Sequence, residues 1–252
     1  MNLEKLKEIW KHEEEYSFKG WDFSYISNRM KEEKLPWQYE QIVRFYMSEE
    51  KILLDMGTGG GEFLLSLTPT SGKTYATESY LPNIEYCKKN LIPHGIKVRA
   101  VYDDSQLPFE DKYFDTIINR HESFCLSEIN RILKPGGVFI TQQVGGRNNK
   151  EISKFLLGEY PNIIDSDFDL DKALQEIKNS DFKVIKQGEY FPKTYFYDIG
   201  ALVFYAKIIE WEFPNFSVEK CFDRLLELQE KLEKQGYVET LEHRYFFVAI
   251  KQ

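Results

Sequence analysis

The sequence predicts an α/β protein in one elaborated domain, built on a mostly parallel sheet of seven strands with helices on both faces. Three observations predict it. From about residue 50 to 144, short apolar runs alternate with stretches of helical periodicity, the pattern of repeated βαβ units. The first of these runs, "KILLD", enters a glycine turn that opens into the helix-patterned "EFLLSL". Further on, "KPGG" stops a helix and turns the chain into "GGVFITQQV".

Residues 1 to about 48 read as helical and carry Trp10, Trp21, Phe23, Tyr25, Trp37, Tyr39 and Tyr46; this segment is expected to form a lid that closes over the site. "KILLD" is the first strand and "KTYAT" the second. Pro82 suits the first turn of the next helix, where Ile84, Cys87 and Leu91 share a face. "IKVRAV" and "FDTIIN" are the third and fourth strands. A helix presenting Leu126, Ile129 and Leu133 follows and ends before "KPGG", with the fifth strand beyond it. "DLDKALQEIKNS" is helical through Leu170, Leu174 and Ile177, "FKVIKQGEYF" is the sixth strand and "RYFFVAIK" the seventh. Between the last two, residues 192 to 240 form an insertion of loop and helices, in which Ser217 is an N-cap and Gly236 a stop. The predicted organisation is thus a lid over 1–48 and a main domain over 49–252 that carries the insertion.

Composition narrows the function. A formal charge of −8 and the lack of a basic stripe exclude a general attraction to nucleic acid. The amino terminus is charged throughout, unlike a signal peptide, and "IGALVFYAKIIEW" is too short to span a bilayer comfortably. No membrane association is expected. Cys87, Cys125 and Cys221 lie far apart, with neither zinc spacing nor a disulfide framework, so the expectation is a reduced cytoplasmic protein without a metal. Oligomeric state is not encoded in any legible pattern.

A strand, a glycine turn and a helix in that order place free backbone N–H groups beside an entering ligand, which suggests a nucleotide or a nucleoside-containing cofactor. A dinucleotide fingerprint starting from Gly57 and Gly59 would need glycine where Glu62 stands. A phosphate loop ending at Gly72, Lys73 and Thr74 would need glycine where Leu67 stands. A third reading accounts for more residues. Glu78, at the end of the second strand, can accept from ribose hydroxyls, and Asp103, after the third, can accept from an adenine amino group. An acidic lining tolerates a sulfonium cation and repels a pyrophosphate.

These motifs, in this order, resemble a class I S-adenosylmethionine-dependent methyltransferase of the small-molecule group called type 11. The resemblance is close over residues 50 to 144 and topological beyond. It implies a Rossmann-like sheet whose final strand is antiparallel, S-adenosyl-L-methionine as cofactor, and a small molecule methylated at oxygen, nitrogen or carbon. It also implies that Asp55, Gly57, Thr58, Gly59 and Gly61 of "LLDMGTGGGEF" hold the methionine part and that Glu78 and Ser79 of "ATESY" meet the ribose. Asp103, Asp104 and Ser105 of "DDSQLPF" fall on the adenine side, and Asn119, at the end of the fourth-strand motif "FDTIINR" that contains Asp115, is a further expected cofactor-binding residue. "RILKPGGVFI" matches the fifth.

Ligands of open α/β sheets bind beyond the carboxyl ends of the strands, which directs attention to "INRHESF". His121 is the candidate base or substrate-orienting group, and Glu122 would orient it or bind a substrate amine. The alternative is a polar loop in which Ser123 caps the next helix. The loop departs from the N-P-P-Y form used on exocyclic base amines. Arg147 and Asn148 of "QQVGGRNNKE" could bind an acidic substrate group or form a solvated turn. An RNA or protein acceptor, a nicotinamide oxidoreductase and a non-catalytic cofactor-binding module stay open as other readings.

Overall fold

The computed structural model describes residues 2–17, 23–158 and 168–252, so Trp21 lies outside the described residues. The chain forms two compact units. One comprises Pro36–Val144, Asp169–Glu189 and Tyr245–Gln252; the other comprises Met1–Leu35, Gly145–Phe168 and Tyr190–Arg244.

The first unit is built on seven strands: β1 (Leu53–Met56), β2 (Thr74–Glu78), β3 (Lys97–Ala100), β4 (Phe114–Arg120), β5 (Leu133–Val144), β6 (Phe182–Tyr190) and β7 (Arg244–Lys251). Their order across the sheet is β3-β2-β1-β4-β5-β7-β6. Strands β3 through β5 in that order pair in parallel, and the last strands run antiparallel, where the resemblance implies an antiparallel final strand. The chain winds outward in both directions from β1 and β4, so the crevice of the sheet opens at their carboxyl ends. Their register aligns Asp55 with Ile118 and Met56 with Asn119. That pairing sets the glycine turn beside the loop that carries His121.

Alternation along the strands serves both faces. Leu54, Met56, Ile117, Phe139 and Phe247 pack with Ile129, Ile132, Leu170 and Ile177, from the helices Leu126–Ile132 and Leu170–Lys178. Leu53, Ala76, Ile118, Ile140 and Val248 pack on the opposite side with Ile42, Val43, Leu64, Cys87 and Leu91, from the helices Tyr39–Tyr46, Glu62–Ser66 and Leu81–Leu91. Strands buried on both faces read as unbroken apolar runs, which is why "KILLD" and "FDTIIN" are so visible.

One boundary differs from expectation. Leu133 does not close the preceding helix, which ends at Ile132; it opens β5 and pairs with Phe114. The ladder then shifts register and resumes at Thr116 with Val138, so Lys134–Gly137 form an irregularity inside the strand. Proline and glycine interrupt the ladder here without delaying its start.

The second unit gathers segments distant in sequence. Met30–Glu32, Lys193–Phe196 and Val238–Leu241 form an antiparallel three-stranded sheet. Residues 1–48 are therefore not helical throughout, and the 192–240 insertion contains strands as well as helices. Helix Ile199–Ile208 buries every side chain from Ile199 to Ala206, so the apolar stretch "IGALVFYA" is a core helix. Around it, Trp10, Phe196, Phe213 and Leu225 complete the core. Ser217 caps the helix Val218–Gln235 by accepting from Lys220 N, and Gly236 ends it with a φ of 86°. Arg29 grips Glu13 through two hydrogen bonds of 2.7 and 3.0 Å.

Asn148 and Asn149 belong to the interior of this unit. Both donate to the Glu212 carboxylate at 2.7 Å, and Asn148 Oδ1 accepts from His243 N and Arg244 Nη1. Asn148 is therefore neither a solvated turn residue nor a substrate contact. Burial pushes the Glu212 carboxyl up to about 7, and the two amides oppose it. Arg147 is exposed, with its guanidinium 4.5 Å from the Phe191 ring centroid.

Among the described residues, no helix is long and apolar enough to cross a membrane, and no cluster of histidine, cysteine and carboxylate side chains is arranged to hold a metal.

Candidate active site

The turn after β1 rests on three residues with left-handed backbone, Gly57 (φ 63°), Gly59 (φ 61°) and Gly61 (φ 83°). Such values favour glycine, and at two of the three a side chain would also collide with a neighbour. A Cβ on Gly61 would stand 2.6 Å from a Leu91 methyl, and one on Gly57 would stand 2.3 Å from Glu122 Cγ. The glycine spacing thus serves close approach as much as turn geometry.

Neighbouring groups tie the turn down. Thr58 N donates to Thr77 O at 2.9 Å, Gly61 N to Thr58 O at 3.0 Å, and the Cys87 thiol to Gly59 O at 2.9 Å. Burial pushes the Cys87 thiol up to about 12, which keeps it a hydrogen-bond donor rather than a nucleophile. Glu78 is the central clamp. Its Oε2 accepts from Gly59 N at 2.8 Å, and its Oε1 accepts from Ser79 N and Tyr80 N at 2.8 and 2.9 Å. A carboxylate offers about four acceptor positions, so three bonds leave it capacity for one more.

Asp55 lies beneath this turn, 4% exposed. Burial pushes its carboxyl up to about 7, with Glu78 adding to the rise and Arg120 and Thr58 opposing it. The shift has a testable sign. A folded-state value near 7 against an ordinary 3.8 means that the folded chain holds this proton more tightly. The associated stability is complete below the unfolded value and is lost as pH rises through the folded one. In the ligand-free protein, Asp55→Asn is therefore expected to raise Tm at pH 8 by more than at pH 5. An equal change at both values would show that Asp55 does not carry the shift.

Asp103 accepts from Ser105 N and Oγ at 2.8 and 2.6 Å, which holds its carboxyl below the usual range. Asp104 accepts from Ser123 Oγ at 2.5 Å, joining the loop after β3 to the loop after β4. Ser123 is thereby a bridge between loops; helix Leu126–Ile132 begins from Cys125 instead.

His121 has φ 61°, an uncommon value for a residue with a side chain. Glu122 lies against Gly57, and burial together with Asp104 and Glu78 raises its carboxyl above the ordinary range. His121 is oriented by Gln142, whose amide lies 3.1 Å from its Nε2. Asn119 is fully buried in a network: its Oδ1 accepts from Thr141 Oγ1 and Gln143 Nε2, and its Nδ2 donates to Ser123 O. Gln143 also donates to Glu122 O, and the Tyr39 hydroxyl donates to Asn119 O. This geometry makes Asn119 a support of the loop.

Trp37 and Tyr39 were legible only as members of the aromatic amino-terminal segment, and Gln142 and Gln143 were not legible as site residues. The available signal was polar: "TQQ" closes a strand buried on both faces, and Thr141, Gln142 and Gln143 are all buried. Such groups require partners, so an internal network could have been anticipated.

At the glycine turn Asp55 lies near enough to Glu78, and Glu122 near enough to Asp104 and Glu78, for their charges to interact. Fold and motifs together are similar to those of class I S-adenosylmethionine-dependent methyltransferase domains. Residues 54–141 match the family model described as "Methyltransferase domain".

Relatives by sequence include the phthiotriol/phenolphthiotriol dimycocerosates methyltransferase of Mycobacterium tuberculosis (strain ATCC 25177 / H37Ra), 33% identical over 38% of this chain and 37% of that one. Another is the ribosomal protein L11 methyltransferase of Dictyoglomus thermophilum, 28% identical over 42% of this chain and 36% of the relative. The chain thus spans less than two fifths of the length of these relatives. Among solved structures, a candidate methyltransferase from Bacillus halodurans C-125 superposes with TM-score 0.60 at 16% identity, covering 85% of this chain and 98% of that one. Geranyl diphosphate C-methyltransferase from Streptomyces coelicolor A3(2), solved with S-adenosyl-L-homocysteine, gives 0.51 at 12% identity over 84% and 76%. At such identities the likeness is one of fold.

Proposed function

We propose that this chain binds S-adenosyl-L-methionine and transfers its methyl group to oxygen, nitrogen or carbon of a small molecule. The observation that carries the reading is the set of carboxylates around the glycine turn, which suits a donor bearing ammonium and sulfonium charges and disfavours a pyrophosphate. In this reading Asp55, Gly57, Thr58, Gly59 and Gly61 take the methionine part. Glu78 and Ser79 take the ribose, and Asp103, Asp104 and Ser105 the adenine side. Asn119 acts through the loop it supports, which carries His121 and Glu122.

The cofactor supplies a methyl group on a positively charged sulfur. A bond forms from the acceptor atom to that carbon as the carbon–sulfur bond breaks, with its electron pair left on sulfur. The chain's task is to hold the two reactants in line and keep water out. Any proton on the acceptor departs to solvent or to a neighbouring base. Cys87, Cys125 and Cys221 are free thiols, which supports a reducing, cytoplasmic setting.

Calorimetry with S-adenosyl-L-methionine against NAD tests the donor; binding of NAD alone would overturn the reading. Methyl transfer from labelled donor into cell extract, separated into small molecules, RNA and protein, tests the acceptor. Label in the small-molecule fraction is expected. Label confined to protein or RNA would replace the acceptor class, and donor binding without transfer to any fraction would favour a binding module.

A further inference from the structure

We propose that Arg120 is the carboxylate receptor of the crevice, a preorganised guanidinium that takes a ligand's carboxylate in a bidentate grip. The identity of the ligand rests on the methyl-transfer reading, in which two reactants can bring that group: the donor, through its methionine end, or an acidic acceptor.

Arg120 is the last residue of β4, one place beyond the Met56–Asn119 pair that sets the glycine turn beside this strand. Successive side chains of a strand leave on opposite faces. Asn119 turns into the network with Thr141 and Gln143, so Arg120 projects to the other face, where helix Glu62–Ser66 lies. There its guanidinium stands over the Phe63 ring, 4.2 Å from Cζ to the centroid. Phe63 follows the glycine turn by two residues and packs 5.6 Å, centroid to centroid, from Tyr39.

An aromatic face attracts a cation but has no lone pair, so it fixes the guanidinium while leaving N–H groups for an oxygen ligand. Other arginines spend theirs within the chain: Arg29 on Glu13, Arg131 on Glu128 and Arg244 on Glu242, at 2.6 to 2.8 Å. Arg120 is exposed, and among the described residues no carboxylate lies within ion-pair distance of it and its guanidinium donates no hydrogen bond. Exposure alone would describe a solvated surface arginine. Arg120 instead acts on buried groups of the turn: its charge opposes the rise that burial imposes on the Asp55 carboxyl and the Tyr39 hydroxyl.

The surroundings select the kind of anion. Asp55, Glu78 and Glu122 favour cations at the turn and would repel the double charge of a phosphate. A carboxylate carries a single charge and matches the guanidinium fork with two parallel hydrogen bonds.

Calorimetric titration of the full chain with S-adenosyl-L-methionine and with its decarboxylated form, which lacks the carboxylate alone, separates the two sources. If the donor brings the group, Arg120→Gln should bind S-adenosyl-L-methionine about ten- to 150-fold more weakly, the loss expected for a charge-assisted hydrogen bond, and bind the decarboxylated form as wild type does. Arg120→Lys, which keeps the charge without the fork, should fall between wild type and Arg120→Gln. If the acceptor brings the group, both donor forms should bind Arg120→Gln as they bind wild type, and label from the methyl donor should disappear from the acidic small molecules of a cell extract, separated on an anion exchanger. Either result assigns the receptor and names the source of its carboxylate. Equal loss for the two donor forms would overturn the proposal, as would unchanged donor affinity with unchanged labelling or with a loss confined to neutral products. Those outcomes leave the functional reading standing; wild type that binds neither donor form would overturn that reading, and this proposal with it.

Discussion

Gly57→Ala is expected to lower affinity for the methyl donor by about five- to 150-fold, the equivalent of the 1–3 kcal/mol assigned to a strained residue. Two separate causes contribute. Gly57 has φ 63°, where any other residue is disfavoured. The new Cβ would also lie 2.3 Å from Glu122 Cγ and 2.5 Å from Glu122 Cβ. The second contact matters most, because it involves the root of the side chain and not its flexible end. Truncating Glu122 to alanine in the same chain should therefore restore little, whereas Glu122→Gly should recover the part due to collision and leave the part due to φ. Calorimetric titration of the four proteins measures this. Full recovery with Glu122→Ala would show that only the outer part of Glu122 matters.

The second large effect is expected at Glu78. Glu78→Gln preserves shape but replaces one carboxylate oxygen by an NH2 group, while three backbone N–H groups converge on that carboxylate from Gly59, Ser79 and Tyr80. Whichever way the amide turns, at least one donor faces another. A buried group left unsatisfied costs about 1–3 kcal/mol. At about 2–4 °C per kcal/mol for a chain of this size, Tm should fall by several degrees. Donor affinity should fall with it, because the clamp and the ribose acceptor are the same carboxylate in the proposed function. The two readouts separate the roles: lost affinity at unchanged Tm would make Glu78 a ligand contact alone, and lost Tm at unchanged affinity would make it a clamp alone.

The acid lining also gives donor binding a pH dependence. If the donor's ammonium pairs with the Asp55 carboxylate, binding releases the proton that burial retains up to about pH 7. Affinity should then rise with pH toward that value and level off above it, and Asp55→Asn should flatten the curve. A titration series from pH 5.5 to 8.5 checks it, and an affinity that falls as pH rises would remove Asp55 from the donor site.

The sequence by itself determined the seven strands, their alternation with helices, and the glycine turn that brings a ligand near the backbone. Each depends on residues close in sequence: apolar runs buried on both faces, helical spacing such as Ile84, Cys87 and Leu91, and φ values that favour glycine. The acids were legible for the same reason, since each falls at a strand end whose place the topology dictates. What only the tertiary structure decided was how those acids and their neighbours are used. Glu78 clamps the turn, Asp104 joins two loops through Ser123, and Glu122 lies against Gly57. The second unit was hidden too, because Met30–Glu32 pairs with Lys193–Phe196 across most of the chain. The Trp37–Gln142 contact follows the same logic. A side chain's hydrogen-bond partner depends on direction and distance in the folded state, and nothing in "LPWQYE" records that the Trp37 N–H ends 2.8 Å from an amide on β5.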